Sequence, residues 1–481
     1  MAREKLLKNS LIYTLFTLLQ RGLGFFLLPL YTIYLSKDQY GVLSILMAAV
    51  PFFVLIAGLS LRGSTSFYYY KHKEEEQYLR KLLGTSFSFL LIFALVLTSF
   101  LFLAKDLLIQ VFFKDIEFYP YLFLAFLSVF FQPAYFYYQS YLKAKQKASV
   151  SAGLDFLYFS VLISLTLVFV IIFKMQSEGV LLSLATANFL MMVITLIKFS
   201  KEISYSLDFS ILRKVLKYAL PILPHNLFSW AMNLADRIIL NALTTLEMVA
   251  VFDIGSQIGK LVNMITLGVN SAYSPWFFEQ VKMNEKSKQR LADTAEKIVF
   301  FYVFCAIVVS WLAPEVIFII SKNKYPTSWQ VVPLIALAFV VNGFYFCFSN
   351  VFFLDKTKIL PLLSLFGALV NIGVNYMLIP RYGFIGAGLA SLSSKLLFCT
   401  LAYYVSQRFY AIPYNIVKIS LVFIAGSLLS LLVYLVQPKI EDFNVWVSIL
   451  GKTSVLFIFV APLIIINYKR IKQFLNFRKV S

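Results

Sequence analysis

The run ILPLLSLFGALVNIGVNYMLIPRYGFIGAGLASLSSKLLFCTLAYYVS, residues 359–406, decides the fold class. It carries only two charges, Arg381 and Lys395. A helix needs about 20 predominantly apolar residues to cross the hydrocarbon core of a bilayer. This run supplies two such lengths, Ile359–Pro380 and Phe384–Ser406, on either side of Arg381-Tyr382-Gly383.

The same window, moved outward, predicts fourteen spans. The first six are Asn9–Leu35, Gln39–Leu61, Leu82–Ala104, Phe118–Leu142, Ser149–Phe173 and Gly179–Ile197. Four more, Tyr218–Leu243, Met248–Phe277, Ile298–Ser321 and Ser328–Leu354, precede the pair above. Tyr414–Val436 and Val445–Asn467 follow it. The basic start, MAREKLLKNS, leads into an apolar run too long for a signal peptide and is read as an uncleaved first span. Composition agrees. The chain is 60% hydrophobic and 14% charged, with a mean hydropathy of +0.80. Soluble domains hold about 25% charged residues. The predicted class is an all-α polytopic membrane protein.

Charge placement sets the orientation. With the N-terminus in the cytoplasm, about thirty of the 43 Lys and Arg fall on inside segments and eight on outside loops, as the positive-inside rule requires. Both termini are then cytoplasmic. The net charge of +20 is this bias, so it points to anionic membrane lipids and away from nucleic acid. Cys305, Cys347 and Cys399 all sit in apolar runs, and no His cluster exists, so neither a metal nor a cofactor is expected. The loops are short. A membrane enzyme acting on glycans would need a sizeable outer catalytic loop, and none is present.

An internal repeat organises the chain. Leu35-Ser36-Lys37-Asp38-Gln39 answers Leu243-Thr244-Thr245-Leu246-Glu247, and three further matches keep an offset near 208. Six spans per half makes the repeat parallel, with its axis along the membrane normal. The expected division is an N-terminal lobe at 1–210, a C-terminal lobe at 211–410, and two extra spans with a basic tail at 411–481.

Charges inside spans nominate a site, because an intramembrane charge faces a cavity or a partner. Arg21, Lys260 and Lys395 lie near mid-span, and Arg62 closes span 2 at the cytoplasmic side. Arg237 and Lys452 lie nearer outer ends and are expected to snorkel. Asp155, Asp236 and Asp253 are the intramembrane acids in this reading; against the five cations inside spans, Arg62 lying just past one, they leave two cations in excess. Span 8 shows a polar stripe of Asp253, Ser256, Gln257, Lys260 and Asn263 at helical spacing. The excess suits a phosphate-bearing substrate, held by Arg21, Arg62, Lys260, Lys395, Asn263 and Gln257. The competing reading is internal pairing, for example Asp253 with Lys260.

Span 7 carries His225, Asn226, Ser229, Asn233 and Asp236 behind Pro221 and Pro224, as a bent gating helix would. His225, Asp253, Asp155 and Asp236 are candidates for coupling or gating, against hydrogen-bonded packing or ion pairing. Ser364, Gly367, Asn371 and Asn375 of span 11 read as helix-packing residues. FFQPAYFYYQSY, residues 130–141, reads as interface belt and lipid-facing bulk rather than a glycan platform.

Two further stretches carry a family resemblance. NLADRIILNALTTLEMVAVFDIGSQIGKLVNMITLGVNSAYSPWF, residues 233–277, resembles the start of the second half of polysaccharide flippases, with Phe252 where tyrosine is usual. Lys356, Thr357, Asn371, Asn375, Pro380, Gly383, Gly386 and Ala387 are similar to that family's most recurrent pattern. The resemblance covers nearly the whole chain and points to the multidrug/oligosaccharidyl-lipid/polysaccharide exporter superfamily. It implies two six-helix lobes around a V-shaped cavity, alternating access, a cell-membrane location, and an undecaprenyl-diphosphate oligosaccharide as substrate. Other polysaccharide-assembly proteins are implied as partners. Peptidoglycan-precursor flippases and cation-coupled drug exporters share the scaffold and remain alternatives.

Overall fold

The computed structural model describes residues 27–281, 285–354, 358–437 and 445–454. All regular structure among them is helical. In hydrocarbon every backbone N–H and C=O must bond within its own segment, which leaves a lipid-exposed strand edge no stable place. Ten helices among the described residues are long and apolar enough to cross a bilayer.

From the first half of the chain come α1 (Lys37–Gly58), the short α2 (Leu61–Lys71), α3 (Glu76–Leu103) and α4 (Lys105–Phe112). They are followed by α5 (Phe118–Ala144), α6 (Ala148–Ile172) and α7 (Gln176–Phe199). An amphipathic link, α8 (Phe209–Ala219), then leads into the second half. There α9 (Leu223–Leu243), α10 (Leu246–Gly259), α11 (Leu261–Val281), α12 (Glu285–Ser321) and α13 (Ser328–Leu354) follow in turn. The closing elements are α14 (Ile359–Phe409) and α15 (Ile416–Leu431).

Several predicted limits are corrected. Span 7 does not start at Tyr218. Residues 209–219 form α8, which buries Ile211, Leu212, Val215 and Ala219 and exposes Arg213, Lys214 and Lys217. Asp208 caps it, accepting bonds from the Ser210 and Ile211 amides at 2.9 and 3.2 Å. Pro221 lies in the break that follows, and Pro224 sits in the first turn of α9, where its missing N–H costs nothing. The predicted eighth span divides at Lys260 into α10 and α11. The run that decided the fold class is one helical stretch with two arms, reversed at Gly383 (φ 54°, ψ −132°), a left-handed backbone that glycine tolerates. The aromatic patch is also not lipid-facing bulk. Tyr135, Tyr137, Tyr138 and Tyr141 are buried in a hydrophobic cluster with Phe87 and Phe199.

The snorkelling readings fail. Lys452 is buried against Glu315 at 2.6 Å and donates to Gln437 Oε1 at 2.8 Å and to the Trp311 carbonyl at 3.1 Å. Glu315 is an intramembrane acid that the sequence inventory omitted. The pair is 3–4% exposed and fastens the segment 445–454 to α12.

Within the two matched stretches, Ser36 and Thr245 are N-caps, of α1 and α10, one position out of register with the offset of 208. Those two helix starts meet. Lys37 Nζ lies 2.5 Å from Glu247 Oε1, and a Cβ on Gly41 would fall 2.1 Å from the Leu246 carbonyl oxygen. Glycine is therefore required at the seam between α1 and α10. Gly41→Ala is expected to force the helices apart, destabilising the protein by about 1–3 kcal/mol. A thiol-reactive probe on a Glu247→Cys background checks this, and its labelling rate should rise.

Candidate functional site

A cavity of about 790 Å³ opens between α1, α9, α10, α11, α13 and α14. Four cations line it: Arg62, Arg237, Lys260 and Lys395. Two acids, Asp236 and Asp253, and His225 share the wall.

Arg237 and Asp253 neutralise one another. The guanidinium bonds to Asp253 Oδ1, and both side chains are about 5% exposed. Arg237 also donates to Ser44 Oγ at 3.1 Å and to the Asn233 carbonyl at 2.8 Å. Asp253 in turn accepts from the Tyr40 hydroxyl at 3.1 Å and from Gln257 Nε2 at 3.3 Å. Ser44 and Tyr40 belong to α1, so this ion pair ties the two halves of the chain together beside the cavity. The predicted alternative, Asp253 with Lys260, is not what forms.

Asp236 has no cation within salt-bridge distance among the described residues. Amide and hydroxyl donors hold it instead: Asn371 Nδ2 at 3.0 Å, Asn375 Nδ2 at 2.8 Å and Ser391 Oγ at 2.6 Å. Asn371 and Asn375, read as packing residues, thus position a carboxylate. Charge-assisted bonds of this kind replace the water a buried carboxylate loses. His225 Nδ1 lies 2.5 Å from Ser364 Oγ on α14.

The other three cations form no ion pair among the described residues. No carboxylate among the described residues lies within salt-bridge distance of Arg62, Lys260 or Lys395, although Asp236 and Asp253 share the same lining. Lys260 sits at the break between α10 and α11, half-buried beside Asn263 in the same lining. Lys395 lies 3.6 Å from the centroid of the Phe339 ring, and Arg62 lies 4.8 Å from that of Phe136. A cation over an aromatic face keeps its charge available to an incoming anion.

The structure therefore brings together Arg62, Lys260, Lys395, Gln257, Asn263, His225, Asp236 and Asp253. Asp155 lies elsewhere. It accepts from Tyr135 Oη at 2.5 Å, within a network that includes Gln139 and Ser151. Arg21 lies outside the described residues. Sequence reasoning misplaced Arg237, although its position four residues after Asn233 puts it on the polar stripe of span 7.

A family model described as polysaccharide biosynthesis protein matches residues 6–281, and a MatE model matches residues 221–377. One relative, a protein of the Lsg locus of Haemophilus influenzae, is 20% identical over 379 residues, covering 76% of this chain and 90% of its own. The lipid II flippase MurJ in an inward closed conformation superposes with a TM-score of 0.74 at 16% identity, over 96% of this chain and 100% of that one. An inward-facing multidrug resistance MATE family transporter of the MOP superfamily gives 0.66 at 16% identity, over 84% and 95%. These likenesses establish a shared polytopic fold.

The buried pair has a measurable signature. Asp253→Leu leaves Arg237 unpaired and should cost about 3–5 kcal/mol, whereas adding Arg237→Met should recover much of the loss. Thermal melting of the wild type, both single variants and the double variant closes the cycle.

Proposed function

We propose that this chain, which belongs to the polysaccharide biosynthesis protein family, is a flippase for an undecaprenyl-diphosphate-linked oligosaccharide, moving it from the cytoplasmic to the outer leaflet of the cell membrane. The observation that carries the reading is the set of three cations, Arg62, Lys260 and Lys395, facing one cavity with no carboxylate within salt-bridge distance among the described residues. A diphosphate supplies the missing anion. Arg62 binds it in a fork and the two lysines as point charges. Asn263 and Gln257 offer amides to the headgroup beside it, and Arg21 of span 1 is proposed to join them.

Transport proceeds by alternating access of the two proposed lobes, 1–210 and 211–410. The seam at Lys37 and Glu247 closes one end of the cavity, placed outside by the charge bias of the loops, and both termini are cytoplasmic. Separation of α1 from α10 opens that end. An inside-negative potential favours outward movement of the anionic headgroup by about 2.3 kcal/mol per charge per 100 mV. Asp236, with His225 nearby in the lining, is the proposed coupling group, and the Asp253 pair the gating contact.

A second reading, a lipid-linked peptidoglycan precursor as substrate, draws on the likeness to MurJ. Both readings need the cations, and the choice of rescued host separates them. Expression in a host lacking its repeat-unit translocase should restore surface polysaccharide. Lys260→Ala and Lys395→Ala should each lower that rescue about ten- to a hundredfold, the equivalent of one charge-assisted contact of about 1.5–3 kcal/mol. Rescue only of a host lacking its peptidoglycan-precursor flippase selects the second reading. Variants as active as the wild type at equal membrane abundance refute the site.

A further inference from the structure

Beside the main cavity lies a second pocket of about 230 Å³, of different character. Val54, Leu55, Leu90, Pro133 and Phe136 form its apolar wall, and Ile222 joins them from the second half of the chain. Its origin is local. Helix α1 stops at Gly58, and Leu59 and Ser60 take left-handed φ values of 45° and 55° before α2 begins. That double turn swings α2 aside and leaves a gap between α1, α3 and α5.

Two glycines show that the gap is real space. Gly58 is buried, yet a Cβ built on it meets nothing within 4 Å. Gly63, at the exposed rim, also has open space where a side chain would stand. Neither has a left-handed φ, so backbone geometry does not require glycine at either place.

The two pockets meet. Leu55, Arg62 and Asn226 line both of them. A cation with no acid partner among the described residues thus stands where an apolar chamber joins a polar one, its guanidinium against the Phe136 ring that walls the apolar side. This order, apolar then cationic then polar, mirrors a molecule whose anionic group lies between a hydrocarbon chain and a sugar.

We propose that the small pocket holds the first isoprene units of a polyprenyl diphosphate, with its phosphates on Arg62 and its headgroup in the main cavity. The proposal rests on the flippase reading and assigns that substrate its binding mode. The pocket has room for only a short length of chain, so the remainder of the prenyl tail runs out into lipid. Because Ile222 and Asn226 belong to the second half, an occupant contacts both halves at once.

The test uses the full-length protein in nanodiscs, titrated with inorganic pyrophosphate, farnesyl diphosphate and undecaprenyl diphosphate. The wild type should bind both prenyl diphosphates at least tenfold more tightly than pyrophosphate, since hydrocarbon leaves water. Gly58→Leu and Gly63→Val put side chains where a Cβ meets nothing within 4 Å. Each should erase that preference while leaving pyrophosphate binding unchanged, and Arg62→Ala should weaken all three ligands. Should Gly58→Leu fail to fold, Gly63→Val decides. A wild-type preference retained in the folded filled variants overturns the pocket assignment, as does displacement of farnesyl diphosphate by excess phosphatidylglycerol. Absence of any wild-type preference overturns the pocket assignment too, and leaves the cationic cavity standing. Failure of all three diphosphates to bind removes the flippase reading itself.

Discussion

A charge inside a bilayer must find either an opposite charge or water. This chain uses both solutions, and the division between them defines its site. Arg237 with Asp253 and Lys452 with Glu315 are buried pairs, each a few per cent exposed. Arg62, Lys260 and Lys395 take the other course and line a cavity of about 790 Å³. The first set holds helices together, and the second leaves positive charge unspent. Both pairs are also specific in geometry. A guanidinium with three partners from different turns fixes the rotation of α9 against α1 more narrowly than apolar contact would.

The two halves of the chain contribute unequally to the site. Ser36 and Thr245 cap equivalent helices, and those helices meet at their starts. Yet of the four cations in the described lining, only Arg62 comes from the first half. The first half contributes mainly α1, whose Tyr40 and Ser44 bond to Asp253 and Arg237. Seam and cavity wall therefore lie along the same two helices, α1 and α10.

The fold class was legible because hydropathy and loop charge are one-dimensional signals. Helix limits were less so. Tyr218 belongs to α8, and only the amphipathic pattern of residues 209–219 separates that element from a span. At the site, Lys260, Gln257 and Asn263 were readable because a polar stripe at helical spacing betrays a wet face. Arg237 was misread because nearness to a membrane end says nothing about the direction in which a face points. Glu315 and Lys452 lie far apart in sequence, and no local pattern announces a pair that depends on how helices pack. Asp155 was read as a coupling carboxylate or as an ion-pair partner for a neighbouring helix. Its burial beside Tyr135, away from the cavity, follows from the rotation of α6, which sequence leaves undetermined.

The position of Asp236 explains how the cavity keeps its sign. A carboxylate on that wall without other donors would be expected to close an ion pair with Lys395 or Lys260. Instead, three donors from α14 occupy its oxygens: the amides of Asn371 and Asn375 and the hydroxyl of Ser391, at 2.6–3.0 Å. These neutral groups satisfy the acid's hydrogen bonds without bringing a compensating cation. Lys395, on the same arm as Ser391, is turned onto the Phe339 ring, whose face attracts a cation without supplying a carboxylate. The acid is thereby held by dipoles and the base by a quadrupole, and neither is consumed by the other. Such an arrangement costs stability compared with a closed ion pair. It makes sense where the partner for the base arrives from outside, and where the acid is kept for a task of its own.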